Sequence, residues 1–286
     1  MRILLAGCDG QLGRCFLDRV PNEWEILATD YKDLDITSKE SVAAAFADFK
    51  PDIVVNAAAY TAVDKAEEDH DTAYAINALG AKYLAENCAL SGAFMVHVST
   101  DYVFDGSATE PYKEGDAVSP NSVYGKTKAE GEAYVAASGA DYITLRTSWV
   151  FSEYGNNFVK TMLKLGQDRT ELGVVADQFG GPTYAGDLAA AIIAIIKQRD
   201  KDGTVRQGLY HYCGSPMTSW AGFAKEIFAQ AEAQALVPHK VQINEIATQD
   251  YPTSAARPAY SMLNCEKIMS EFNVAMSDWR HGIIIR

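Results

Sequence analysis

Along the first half of the chain, short runs of apolar and β-branched residues alternate with longer stretches in which apolar positions recur every three or four residues. The runs at 2–6, 25–29, 52–56, 94–99 and 142–146 are nearly continuous in apolar character, as strands buried on both faces must be. Between them, 11–20, 39–49, 73–91 and 123–137 carry helical spacing. Strand–helix alternation of this kind predicts βαβ units and therefore an α/β fold with a doubly wound parallel sheet. Past residue 150 the alternation loosens into a helix at 157–166, a strand at 172–176, a very apolar helix at 187–197, a strand at 208–212 and a helix at 220–235. Gly180-Gly181-Pro182 and Gly214-Ser215-Pro216 punctuate this half and mark crossings. A smaller α+β domain is expected there: residues 1–148 form the sheet domain, with later returns near 183–213, and 149–286 mainly form the second domain.

With 286 residues, 48% hydrophobic and 22% charged, the chain can bury a sizeable core. Its net charge of −13 repels polyphosphate, so nucleic acid is not an expected partner, and any small anionic ligand must be drawn in by local features. The five cysteines are odd in number and lack a C-x-x-C pair. Together with the absence of a signal-like or span-length apolar run, they point to a protein of the reducing cytoplasm with no membrane partner. None of the five histidines falls in H-x-x-x-H, and no serine falls in G-x-S-x-G, so metallohydrolase and esterase chemistry find no support. His97 reads as a core histidine, and Glu67-Glu68-Asp69 as a solvated charge run.

Gly7-Cys8-Asp9-Gly10-Gln11-Leu12-Gly13 follows the first predicted strand and opens the first predicted helix. Gly7 suits the tight turn, Gly10 a close backbone approach to phosphates, and Gly13 close helix–strand packing, with a pyrophosphate at the helix N-terminus. Asp30 ends the second strand, where an acid is placed to hold a ribose hydroxyl pair. The combination predicts a Rossmann-type dinucleotide site. Asp30 without an adjacent arginine favours NADH, while Lys32 two residues on offers charge for the 2′-phosphate of NADPH, so both cofactors stay open.

Tyr124 and Lys128 are spaced i, i+4 on one helix face, behind the helix-start sequence Ser119-Pro120-Asn121-Ser122. Thr100 stands at a strand's carboxyl end, the side on which open parallel sheets bind ligands. A protonated tyrosine can donate to a carbonyl oxygen provided the tyrosinate is stabilised, and Lys128 would do that by charge.

These residues, with Asn56-Ala57-Ala58-Ala59 and the run from Ser99 to Phe104, resemble the extended short-chain dehydrogenases/reductases. More narrowly, the chain is similar to the dTDP-4-dehydrorhamnose reductase family. That match rests on Asn56 to Glu67, Arg146-Thr147-Ser148-Trp149-Val150, Gly155-Asn156-Asn157-Phe158, Asp177 to Thr183 and Ala256-Arg257-Pro258. The resemblance implies hydride transfer from NADPH or NADH to C4 of dTDP-4-dehydro-L-rhamnose, with Tyr124 as proton donor. Lys128 would also hold the nicotinamide ribose. It assigns Gly10, Gln11 and Leu12 to the pyrophosphate, Asp30 to the adenosine ribose, Asp35 and Ile36 to the adenine, and Ala57, Ala58, Ala59, Tyr60 and Thr61 to the nicotinamide half, with Val98 a further contact. Thr100 and Asp101 fall beside the reacting carbonyl, Trp149 near the deoxysugar and Arg257 on the substrate diphosphate. Core packing for Trp149, a strand-end cap for Thr100 and a salt bridge for Arg257 are the competing readings.

The chain departs from the family in two places. Some members dimerise through a divalent metal, yet Gly13-Arg14-Cys15-Phe16 has no carboxylate and Asp187 alone makes a poor hard-cation site, which argues against Mg2+. The run 279–286 stops a turn or two short of the family's usual end, and is expected to fray or to pair with a neighbour. Monomer and homodimer both stay open, as do a reductase or epimerase of another nucleotide sugar and a non-catalytic regulatory subunit of the same fold.

Overall fold

A computed structural model describes residues 1–202 and 206–283. Its centre is a six-stranded sheet of β1 (Arg2–Ala6), β2 (Glu25–Thr29), β3 (Ile53–Asn56), β4 (Phe94–Thr100), β5 (Tyr142–Thr147) and, after an excursion, β7 (Gly208–His211). Every pairing in it is parallel, in the order β2-β1-β3-β4-β5-β7. The winding direction reverses between β1 and β3, opening a crevice at their carboxyl ends where such sheets bind ligands. Strand β7 returns to pair in parallel with β5, from Gly208 against Ile143 to His211 against Arg146.

Alternate residues of one strand serve opposite layers. Ile3, Leu5, Val55, Val96 and Leu145 pack with Phe16 of α1 (Gln11–Leu17) and with Leu188, Ile192 and Ile195 of α6 (Ala185–Asp202). Leu4, Val54 and Met95 face Val42 and Phe46 of α2 (Lys39–Phe49), Leu84 and Cys88 of α3 (Ala81–Ser91), and Val135 of α4 (Val123–Ala137). Two packed faces explain why these strands read as continuous apolar runs.

A separate apolar cluster joins Val159 and Met162 of α5 (Phe158–Asp168), Leu172 and Val174 of β6 (Glu171–Val175), and Phe223, Ile227 and Phe228 of α7 (Trp220–Ala233). Strand β6 pairs in parallel with β8 (Gln242–Ile246), which the periodicity did not reveal because its residues are half-exposed and mixed in polarity. Nor did it reveal α8 (Glu266–Phe272), a seven-residue helix. Of the closing run, Trp279–Ile283 forms a 3-10 helix and 284–286 lie outside the described residues.

The segment 73–91 is not one regular helix. His70–Tyr74 is followed by a π-helical stretch, Ala75–Gly80, before α3 begins. The π stretch brings Asn77 against α4, where the Asn77 carbonyl occupies the space a Cβ on Gly131 would need. Over a single turn the spacing of apolar residues does not distinguish i→i+5 from i→i+4 bonding, so the pattern could not show it.

Candidate active site

Most long helices are capped by a side chain: Ser38 accepts from Ser41 N on α2, Ser122 from Gly125 N on α4, Asn157 from Lys160 N on α5 and Ser219 from Gly222 N on α7. Helix α1 differs. Its cap is Gly10, without a side-chain acceptor, and its first turn holds no acid, so the amide groups there keep their capacity for an external anion. Gly7 has φ +86, and a Cβ on it would sit 2.7 Å from Ala58 N. A Cβ on Gly13 would collide with the Gly7 carbonyl oxygen. Two of the three glycines are thus required by the backbone, and the loop abuts Ala57 and Ala58, so the pyrophosphate and nicotinamide stretches read from the sequence adjoin. A cradle closed to Cβ atoms and lined by uncompensated amides fits a dinucleotide phosphate.

The Gln11 side chain reaches the segment before α5. Its Oε1 accepts from Ser152 Oγ at 3.1 Å and Asn157 Nδ2 at 2.9 Å, tying the glycine loop to the start of α5. Leu12 is buried under the loop. Asp30 follows β2, whose last carbonyl, on Thr29, receives the Gly7 and Cys8 amides. Asp35 is exposed and accepts from Thr37, while Ile36 is buried against Gly80.

Tyr60 is held at both ends. Its amide donates to Asn77 Oδ1 at 2.8 Å and its hydroxyl to Asp69 at 3.1 Å. Glu67 accepts from Val123 N, the first residue of α4, at 2.8 Å. The run 67–69 is therefore not merely a solvated face: two of its carboxylates fasten the loop after β3 and the helix bearing Tyr124. A run of acids in sequence cannot show partners 56 residues away. Asn77 was missed for the same reason; it also donates to Thr127 Oγ1 at 3.1 Å and so joins the Tyr60 loop to α4.

Tyr124 and Lys128 share the inner face of α4. The Lys128 ammonium, 1% exposed, donates to the Val98 carbonyl at 2.7 Å. Burial lowers its pKa to about 8, with the Glu132 charge acting against that shift. Burial raises the Tyr124 phenol above its ordinary value, opposed by the Thr100 hydroxyl and reinforced by Asp101 and Tyr102. Thr100 does cap a strand end, since its Oγ1 accepts from Tyr102 N at 3.2 Å, and it also donates to Asp101 Oδ1 at 3.0 Å. Asp101 is 2% exposed, and burial lifts its carboxyl to about 6. His97 is a core residue hydrogen-bonded to Asn56, kept neutral by burial and by the Lys128 charge.

A cavity of about 570 Å3 opens beside this group, with Tyr102, Asp64 and Arg257 on one side and Phe158, Leu172 and Trp220 on the other. Tyr102 stands edge-to-face with Tyr124 at 5.5 Å, which brings the cavity to the Tyr124–Lys128 pair. Arg257 donates to the Tyr102 hydroxyl at 3.0 Å and pairs with Asp64 at 2.5 Å, so the salt bridge weighed from the sequence is present and lies in the cavity wall. Trp149 has φ +47, a conformation that costs a bulky residue about 1–3 kcal/mol, and stacks on Trp220 at 3.6 Å. It reaches the cavity through that partner. Trp220 carries no sequence signal beyond helix-start position. Among the described residues there is no group of three or more His, Cys, Asp or Glu able to hold a metal, and no helix long and apolar enough to cross a membrane. Asp187 takes a hydrogen bond from Ser277, and Cys15 is buried.

Comparison with known proteins identifies the family. The profile of the RmlD substrate binding domain matches residues 1–284. A dTDP-4-dehydrorhamnose reductase of Aggregatibacter actinomycetemcomitans is 48% identical over 99% of this chain and 97% of that protein. The Escherichia coli K12 enzyme of the same name is 40% identical over 99% and 96%. The crystal structure of dTDP-4-dehydrorhamnose reductase from Bacillus anthracis in complex with NADP superposes with a TM-score of 0.91 at 39% identity, covering 99% of this chain and 96% of that one. With a family profile matched over residues 1–284 and near-full-length relatives that bear this name, the chain belongs to the dTDP-4-dehydrorhamnose reductase family.

Proposed function

We propose that the protein reduces dTDP-4-dehydro-L-rhamnose to dTDP-L-rhamnose, with NADPH or NADH as reductant and Tyr124 as proton donor. The observation that carries this reading is the buried Lys128 ammonium one helical turn from Tyr124, in a fold whose first helix start is left uncapped for phosphate. Gly7, Gly10, Gln11, Leu12 and Gly13 would hold the pyrophosphate, Asp30 the ribose, Asp35 and Ile36 the adenine, and Ala57 to Thr61 with Val98 the nicotinamide half. When bound, the reduced nicotinamide supplies hydride to C4.

Tyr124 holds its proton at neutral pH because burial raises its pKa, and it gives that proton to the oxygen at C4 as negative charge develops there. Lys128 stabilises the tyrosinate left behind, and its charge is most nearly complete below the pKa of about 8. Thr100 and Asp101 orient the carbonyl, and Trp149 with Trp220 walls the deoxysugar. Arg257 presents a guanidinium to the diphosphate, exchanging part of its contact with Asp64. Residues 1–148 with the returns near 183–213 would serve the dinucleotide and 149–286 mainly the sugar, in a monomer or homodimer of the cytoplasm, where the five free cysteines stay reduced.

The test is the initial rate of NADPH and, separately, NADH oxidation with dTDP-4-dehydro-L-rhamnose, with and without Mg2+ or EDTA. Oxidation accompanied by dTDP-rhamnose is the expected result. Cofactor binding without turnover would overturn the assignment and redirect it to another keto-sugar or to a regulatory role.

A further inference from the structure

Tyr124, Lys128 and Glu132 follow one another at i, i+4 and i+8 on α4. An acid four residues beyond a lysine lies within reach of it on the same helix face. Here no ion pair joins Glu132 to Lys128, because Arg146 takes both carboxylate oxygens, through Nε at 2.8 Å and Nη2 at 2.6 Å. Arg146 lies near the carboxyl end of β5, its side chain 2% exposed against 11% for Glu132. Its Nη1 also faces His211 of β7 at 3.5 Å, and its guanidinium lies over the Phe104 ring. The pair is therefore immobilised from two strands, the segment after β4 and the helix.

We propose that the buried Glu132–Arg146 pair positions and charges Lys128. Glu132 supplies the negative field that keeps the ammonium protonated, and Arg146 holds Glu132 back so that the ammonium stays out of an ion pair. The other groups around Lys128 bear this out. On β4, His97 is neutral and brings no compensating charge. On α4, Tyr124 is a protonated phenol. On β7, His211 is neutral, its pKa pushed down to about 3 by burial and by Arg146. Glu132 is thus the carboxylate that works against the desolvation of Lys128. Glu132 and Arg146 are positioning residues; neither is required to touch substrate.

The inference rests on the roles proposed above for Tyr124 and Lys128, and the alkaline limb of the kcat profile is its readout. In Glu132→Gln the limb moves to lower pH by about one unit, because the ammonium loses its nearby negative charge and faces an uncompensated guanidinium. Turnover recovers in mildly acidic buffer and the substrate KM holds. In Arg146→Gln the limb moves to higher pH, since Glu132 is released to pair with Lys128, and the cofactor KM rises as the ammonium is drawn away. A purely structural pair cannot shift the limb in opposite directions. Limbs that stay put, or that move together, overturn the proposal.

Should either variant fail to fold, Glu132→Gln/Arg146→Gln removes both charges at once and leaves no unpaired buried ion. Its limb is expected between those of wild type and Glu132→Gln, and an unmoved limb again overturns the proposal. Lys128→Met separates the two possible failures. A limb that persists in its residual turnover sinks the role of Lys128 itself. A limb that vanishes there yet ignores Glu132→Gln sinks only the part played by Glu132 and Arg146.

Discussion

Replacing Tyr124 with Phe removes one oxygen from the ring that stands against Tyr102, and with it the proton donor of the proposed reaction. Turnover should fall by about 10²-fold or more, the scale of losing a general acid, while the denaturation midpoint stays close to wild type. A variant that retains most of its turnover would remove Tyr124 from the mechanism. Gly13 makes a different demand, since its Cβ position coincides with the Gly7 carbonyl oxygen. Gly13→Ala should cost about 1–3 kcal/mol in denaturant unfolding and should raise the cofactor Kd, because helix and loop must separate to admit the methyl group. Equal cofactor affinity in the two proteins would show that the loop does not carry the phosphates. Of the residues read from the sequence, Thr100 makes the cap and Arg257 the salt bridge that were weighed against their proposed contacts with substrate.

Helix α4 is the element on which the site depends, and it is fastened at its first turn by two acceptors from different places. Ser122 receives Gly125 N, a local cap that four residues of sequence made legible. Glu67 receives Val123 N from the loop after β3, a contact no local pattern announces. Removing it by Glu67→Ala should cost about 1 kcal/mol, the usual worth of an N-terminal cap, and lower the Tm by about 2–4 °C. Because Val123 precedes Tyr124, kcat should fall with it. A Tm that drops while kcat holds would show that Glu67 stabilises the helix without aiming the tyrosine. The π stretch Ala75–Gly80 belongs to the same scale, since it spends helical regularity to turn Asn77 toward the Tyr60 loop and Thr127.

At the scale of the molecule, buried ionisable groups set how stability responds to pH. His211 donates from Nδ1 to the Tyr112 carbonyl, leaving Nε2 to face Arg146 Nη1, an arrangement that suits the neutral ring. Its folded pKa of about 3 lies below the ordinary 6.5. Below pH 6.5 the unfolded chain therefore binds a proton that the folded chain refuses, and stability is lost as pH falls toward 3. His97 acts in the same sense. Asp101, raised from 3.8 to about 6, acts in the opposite sense, adding stability as pH falls through that window. Denaturant midpoints should thus decline more gently with acid in His211→Gln than in wild type, by up to about 1.4 kcal/mol for each pH unit below the ordinary histidine pKa. Parallel declines would show that His211 accepts a proton in place.

By itself, the sequence determined what depends on near neighbours along the chain. Continuous apolar runs specified a parallel sheet buried on both faces, Gly7, Gly10 and Gly13 specified a loop and helix start open to phosphate, and the i, i+4 spacing placed Tyr124 and Lys128 on one helix face. Each is a matter of backbone geometry within a few residues. The tertiary structure alone decided that Asn77 reaches Tyr60 and Thr127, that Gln11 is tied to Ser152 and Asn157, that Trp149 stacks on Trp220, and that Arg146 withholds Glu132 from Lys128. Those contacts join residues 14 to 146 positions apart. Hydrogen bonds and desolvation act through space, so their partners exist only once the chain has brought separate elements together.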